Sequence, residues 1–257
     1  MIWAVLASMA VVATFLWQDT IFDCNDGRRY TSKRLQPYPF HRRFCAWPET
    51  LLTILSVVSV FTLGALMGTW QKALLLTTLP GAWFCVTRPT TVDAPSMLLA
   101  YCASLAFPLN PYVAVILAMC SGVIHERGPV FAALYAWHPL LLLGLVGVQW
   151  WKKAAPADSD LRVGRGLWHS LIVHRQDHDW LSFKQSAVAL RGLPLIAVYY
   201  GISTPAWIAM GLAWASRIAG SDLGRFVFWA APAVVRDLPE LPAWVVLLQA
   251  VTFRRAA

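Results

Sequence analysis

Long apolar runs alternate with short polar breaks along the whole chain. The runs predict helices over 2–17, 49–70, 73–86 with Pro80 as a kink, 94–107, 112–124 and 129–151. A further helix lies within 193–216, split near Gly201–Pro205, and an apolar stretch over 226–253 is cut by Pro232, Arg236-Asp237, Pro239 and Pro242. Gln71-Lys72 makes a tight connection, and Pro108-Leu109-Asn110-Pro111 is a strong turn signal. Residues 167–181 mix Trp168, Leu171, Ile172 and Trp180 with His169, His174, Arg175 and His178, the pattern of an interfacial amphipathic helix. The expected fold is all-α, a polytopic transmembrane bundle of about eight helices. It forms one domain over 1–257, with polar loops at 18–48 and 152–184. Met1–Trp17 lacks a basic start and a small-residue cleavage site, and reads as a retained first helix.

Composition sharpens that expectation. The chain is 58% hydrophobic and only 13% charged, so no polar domain remains outside the runs. The net charge of +8, from sixteen Arg and five Lys against 13 acids, suits anionic headgroups or phosphate-bearing ligands. Nucleic acid is set aside, because no basic domain exists to hold it. Among the 14 Trp, Trp47, Trp70, Trp150 and Trp151 stand at the ends of apolar runs, where an aromatic belt places them. Cys85, Cys102 and Cys120 fall inside runs and read as small core residues. Cys24 and Cys45 bracket the first polar loop, where they form either a disulfide or two thiols.

Three polar patches stand out: 19–44, 88–93 and His125-Glu126-Arg127-Gly128. A pair of helices separates each from the next, so parity puts all three at one side of the bundle. Lys152, Lys153, Arg162 and Arg165 favour a cytoplasmic loop after the sixth helix, which places the patches outside. The cations of the first loop oppose that orientation unless they have a task there.

The chemistry of the patches is carboxylate beside guanidinium. Asp19, Asp23 and Asp26 suit a general base or a set of metal ligands. Arg28, Arg29, Arg42 and Arg43 suit a phosphate, whose oxygens the planar fork binds in pairs. The plainer reading is a solvated loop held to headgroups by its cations. Asp93 reads equally as a helix cap, and Glu126 with Arg127 as an exposed pair at a helix junction. His174, Asp177 and His178 are too few for a metal site, and no metal is assigned. His138 reads as a hydrogen-bonded core histidine.

Several loose motifs follow in order: early Asp residues after a first helix, Pro39-Phe40-His41-Arg42-Arg43 up to Pro48, Asp93-Ala94-Pro95, His125-Glu126-Arg127, and Asp222-Leu223-Gly224-Arg225 before Pro232. In that order the chain resembles a compact form of the GT-C integral membrane glycosyltransferases, which use polyprenyl-phosphate sugars. The resemblance implies a hexosyl- or pentosyltransferase in a bacterial plasma membrane, moving a sugar to an acceptor hydroxyl on the outer face. It implies that Asp23 or Asp19 is the general base, with Asp93 and Glu126 orienting the substrates. Arg42, Arg43, Arg127 and Arg225 would hold the carrier phosphate as leaving group. The implied partners are a polyprenyl-phosphate sugar donor, membrane lipids and an acceptor glycan, lipid or protein. No cofactor is assigned, although the carboxylates are compatible with a divalent cation. The competing class is a non-enzymatic multispanning protein, such as a small transporter or a membrane-interaction or exclusion protein. Arg191 and His138 are the few charges a transporter would offer at mid-membrane.

Overall fold

The helices are shorter than the apolar runs that contain them. The structure, a computed structural model, describes residues 2–18, 49–87, 93–146, 190–215 and 228–251. Among these the chain forms α1 (Ile2–Gln18), α2 (Glu49–Leu66), α3 (Trp70–Thr77), α4 (Pro80–Thr87), α5 (Asp93–Ala106) and α6 (Pro111–Ile124). Then come α7 (Gly128–Ala136), a 3-10 turn (Pro139–Leu143), α8 (Leu193–Tyr200), α9 (Thr204–Ala215), α10 (Ala231–Asp237) and α11 (Ala243–Val251). The fold is all-α, but the expected bundle of crossing helices is not found. Among the described residues no helix is long and apolar enough to cross a membrane. The longest, α2, has 18 residues, while α5 and α6 have 14 each. At about 1.5 Å per residue, fourteen residues reach ~21 Å, against the ~30 Å of a hydrocarbon core. The multi-pass plasma-membrane placement is corrected on the same ground.

Backbone chemistry explains where the runs break. The run expected to continue to Trp70 stops at Leu66, because Gly68 turns the chain at φ 84°. That left-handed conformation is open to glycine at no steric cost. Pro80 starts a new helix instead of kinking one: α3 closes with the Thr78 N–H on the Leu74 carbonyl at 2.9 Å, and Pro80 opens α4. The long helix expected over 129–151 ends at Ala136, where Trp137 adopts φ 52° and Pro139 then starts the 3-10 turn. Gly201, at φ 77° and ψ 146°, separates α8 from α9 in a backbone region essentially reserved for glycine.

The chain divides into two compact units. One comprises Met1–Thr20, Val60–Phe84 and Leu167–Ala257; the other comprises Ile21–Ser59 and Cys85–Gly166. In the first, α3 packs on α1, α10 and α11, and α9 packs on α10. Its core includes Leu63, Leu76, Phe228, Trp229 and Val235. In the second, α5, α6 and α7 pack mutually and the 3-10 turn lies on α6 and α7. Tyr101 and Tyr135 meet there edge to face, with ring centroids 5.9 Å apart.

Several helices carry small side chains inward and large apolar ones outward. On α6, Ala114, Ala118, Ser121 and Gly122 are buried, while Tyr112, Val113, Ile116 and Met119 are exposed. On α1, Ala4 and Ser8 are buried beneath exposed Ile2, Trp3, Leu6 and Met9. On α9, Ala206, Ala209 and Ala213 face in, and Trp207, Ile208 and Leu212 face out. Small inner residues let helix axes approach closely, but they leave the bulk of the apolar surface outside.

Candidate functional site

The second unit gathers its polar side chains at one corner, and a helical hairpin puts them there. Asn110 caps α6: its Oδ1 accepts the Tyr112 N–H at 3.0 Å and the Val113 N–H at 3.2 Å, and Pro111 supplies a preset first turn. Because α5 and α6 have equal lengths, the chain returns after α6 to the level at which α5 began. His125, just past the end of α6, therefore meets Asp93, the first residue of α5. The seam is fixed by Ser96 and Ser121, whose hydroxyls lie 3.0 Å apart between the helices.

At the corner, the Asp93 side chain is fully buried and the His125 ring is nearly so. His125 Nε2 lies 3.5 Å from Asp93 Oδ1, and Nδ1 lies 3.6 Å from Glu126 Oε2. Both separations exceed a formed hydrogen bond. Nδ1 instead accepts the Arg127 N–H at 3.3 Å. The other ring nitrogen, Nε2, faces Asp93. The backbone is equally determined. The His125 N–H bonds the Ser121 carbonyl at 2.8 Å, and the Gly128 N–H bonds the His125 carbonyl at 2.9 Å. A Cβ on Gly128 would collide with Ser121 Oγ and stand 2.8 Å from the Ser121 carbonyl carbon. The arrangement can store and pass a proton: an imidazole between two carboxylates, beside a half-buried guanidinium.

The structure thus brings Asp93, Glu126 and Arg127 to one corner. Asp19, Asp23, Arg42, Arg43, Arg225, Cys24 and Cys45 lie outside the described residues, as do His174, Asp177 and His178. His125, Ser96 and Ser121 were given no role by the sequence reading. Their signal was present, since Asp93 and His125 stand sixteen residues either side of Leu109, in the turn that the two prolines announce. Among the described residues no three His, Cys, Asp or Glu side chains could hold a metal ion together.

The first unit has its own polar cluster. Lys72 Nζ donates to the Arg236 carbonyl at 2.6 Å, tying α3 to α10. Asp237 accepts from the Ser203 N–H at 3.3 Å and from the Ser203 hydroxyl, and faces Arg236 Nε at 3.3 Å. Burial pulls the Lys72 pKa below its usual 10.5, against the attraction of Asp237 and Glu240. Arg191, at φ 48°, gives Nη1 to the Gln249 carbonyl at 2.9 Å, and burial lowers its pKa too. His138 is not in the core. It is exposed, lies 4.3 Å from the Phe107 ring by centroids, and accepts the Leu140 N–H as the cap of the 3-10 turn. Of the three cysteines read as core, Cys85 is buried, Cys102 is half-buried and Cys120 is exposed.

No protein-family model, no curated protein and no solved structure matches the chain. Sugar transfer within a membrane-spanning bundle needed crossing helices, and both it and the multispanning alternative are corrected by their absence among the described residues.

Proposed function

We propose that this protein binds amphiphiles with apolar tails and phosphate-bearing heads, taking the tails on its outward helix faces. The observation that carries the reading is the arrangement of α6, where Ala114, Ala118 and Gly122 occupy the inner face and Tyr112, Val113, Ile116 and Met119 the outer one. A helix folded against water alone turns its large apolar residues inward. Each large apolar side chain removed from water contributes about 1.5–3 kcal/mol, so a stripe of four is a substantial unused driving force. The same arrangement recurs on α1 and α9, and Leu195, Val198 and Tyr199 of α8 and Trp244, Leu247 and Leu248 of α11 are also exposed.

Charge favours lipid over a protein partner. The excess of +8 complements anionic headgroups, each basic residue near such a surface adding roughly 1 kcal/mol. Trp3, Trp137, Trp207 and Trp244 are exposed, and indoles concentrate where an apolar layer meets water. Helices of this length suit a layer at the headgroup boundary, which requires no crossing. Isoprenoid phosphates and phospholipids both belong to the ligand class.

Flotation with phosphatidylcholine vesicles, with and without phosphatidylglycerol, tests the proposal. The protein floats with both, more completely with the anionic mixture, and added salt reduces only that increment. Protein left at the bottom of the gradient with both vesicle types would remove the reading. An oligomer formed without lipid, and retained when lipid is added, would assign the outer faces to protein contact instead.

A further inference from the structure

We infer that the end of the second unit opposite the Asp93–His125 corner is a wedge that enters the hydrocarbon of a lipid layer, led by Leu109 and Tyr112. The inference rests on the lipid-binding reading and adds which end goes in. Two chain breaks form that end: the α5–α6 turn, and the junction between α7 and the 3-10 turn. The Phe107 and His138 rings join them, with centroids 4.3 Å apart. Leu109 is 87% exposed, Tyr112 80% and Trp137 55%, so the folded chain shields little of these three from water.

Charge is sorted along the hairpin. Between Asp93 and Val146 the acids, lysines and arginines are Asp93, Glu126 and Arg127, all at the corner. The tip has none, and its backbone is closed as well. From Phe107 to Ala114 every N–H has an acceptor or is absent. The Phe107 N–H bonds the Ala103 carbonyl at 3.0 Å, and Leu109 and Asn110 share the Ala106 carbonyl at 3.0 and 2.8 Å. Tyr112 and Val113 give theirs to Asn110 Oδ1, and Ala114 gives its own to the Asn110 carbonyl at 3.1 Å. Pro108 and Pro111 have no N–H. The second break repeats this. Trp137 bonds the Leu134 carbonyl at 3.2 Å, His138 the Ala133 carbonyl at 2.9 Å, and Leu141 the His138 carbonyl at 3.4 Å. Leu140 gives its N–H to His138 Nδ1 at 3.2 Å, and Pro139 has none to give.

On a turn that stays in water, solvent satisfies open donors. Hydrocarbon cannot, so a segment that enters it must close them within itself. The tip meets that requirement at both breaks while presenting its large apolar side chains outward. A hairpin of 14-residue helices is about 21 Å long against a core of ~30 Å, so the tip enters without reaching the far side. The charged corner stays at the aqueous boundary.

Depth-dependent quenching tests the wedge. Leu109→Cys and Glu126→Cys, each in a full chain whose own cysteines are alanine, carry a bimane label. They are mixed with phosphatidylcholine–phosphatidylglycerol vesicles brominated either near the headgroup or deep in the acyl chains. The label at 109 is quenched more by the deep bromines than by the shallow ones. The label at 126 is quenched by aqueous iodide and not by deep bromines. Equal quenching at the two positions, or shallow quenching alone at 109, on protein that has floated with the vesicles overturns the wedge and leaves lipid binding in place. Protein that does not float removes both. Leu109→Glu in the otherwise unaltered chain gives a second measurement: the helical circular dichroism is unchanged and vesicle affinity falls about tenfold or more. Unchanged affinity in that variant overturns the wedge as well.

Discussion

Ser96 and Ser121 lock α5 to α6 by a reciprocal exchange: Ser96 Oγ donates to the Ser121 carbonyl at 2.9 Å, and Ser121 Oγ donates to the Ser96 carbonyl at 2.6 Å. Both residues are fully buried, so each hydroxyl is satisfied within the seam. The pair sits one helical turn from Asp93 and His125 and sets the level at which those two meet. Ser96→Ala and Ser121→Ala each cost about 1–2 kcal/mol in denaturant unfolding. The double variant costs less than their sum by roughly 0.5 kcal/mol or more, because the two bonds share one seam.

Gly128 packs where no side chain fits. Gly128→Ala drives a methyl into Ser121, whose carbonyl carbon stands 2.8 Å from the new atom. The expected loss is about 1–3 kcal/mol, read as a lowered denaturation midpoint with an unchanged slope. Gly211→Ala, with nothing within 4 Å of the added methyl, is the matching control and is neutral or stabilising.

Lys72 makes stability depend on alkaline pH. Its folded pKa lies below 10.5, chiefly through burial, so the unfolded chain binds more protons in the interval just under that value. Stability therefore rises with pH through that interval and levels off above 10.5, once the lysine is neutral in both states. Lys72→Met removes that slope, together with the bond to the Arg236 carbonyl. Unfolding midpoints measured at successive pH values for the two proteins give the comparison.

Ile116 is 59% exposed on the outer face of α6. Ile116→Glu leaves the helical circular dichroism unchanged and alters stability by less than about 0.5 kcal/mol, since the side chain meets little of the folded chain. Vesicle affinity falls about tenfold or more, through the lost apolar contact and the added negative charge.

The hairpin was legible in the sequence because its signals are local. Pro108-Leu109-Asn110-Pro111 announced the turn, and α5 and α6 begin within one residue of where the apolar pattern puts them. Helix continuity was not legible. Val86, Trp137 and Tyr200 all sit in or beside apolar runs, and hydropathy carries no term for a left-handed φ at Trp137 or for the extended ψ at Gly201. The same limit explains the crossing helices that were expected from 129–151 and 193–216. At the corner, Asp93, Glu126 and Arg127 were singled out by their charge, whereas His125 was named with its polar quartet but given no role of its own. Its importance follows from hairpin symmetry about Leu109, a three-dimensional property.

Contact between the outer face of α6 and acyl chains is tested most directly through Cys120, which is exposed on that helix. A variant retaining only this cysteine is labelled with an environment-sensitive fluorophore and mixed with vesicles containing brominated acyl chains. The label shifts to the blue and is quenched by the bromines if α6 lies against lipid. An unshifted, unquenched label on protein that has floated with the vesicles would contradict the account.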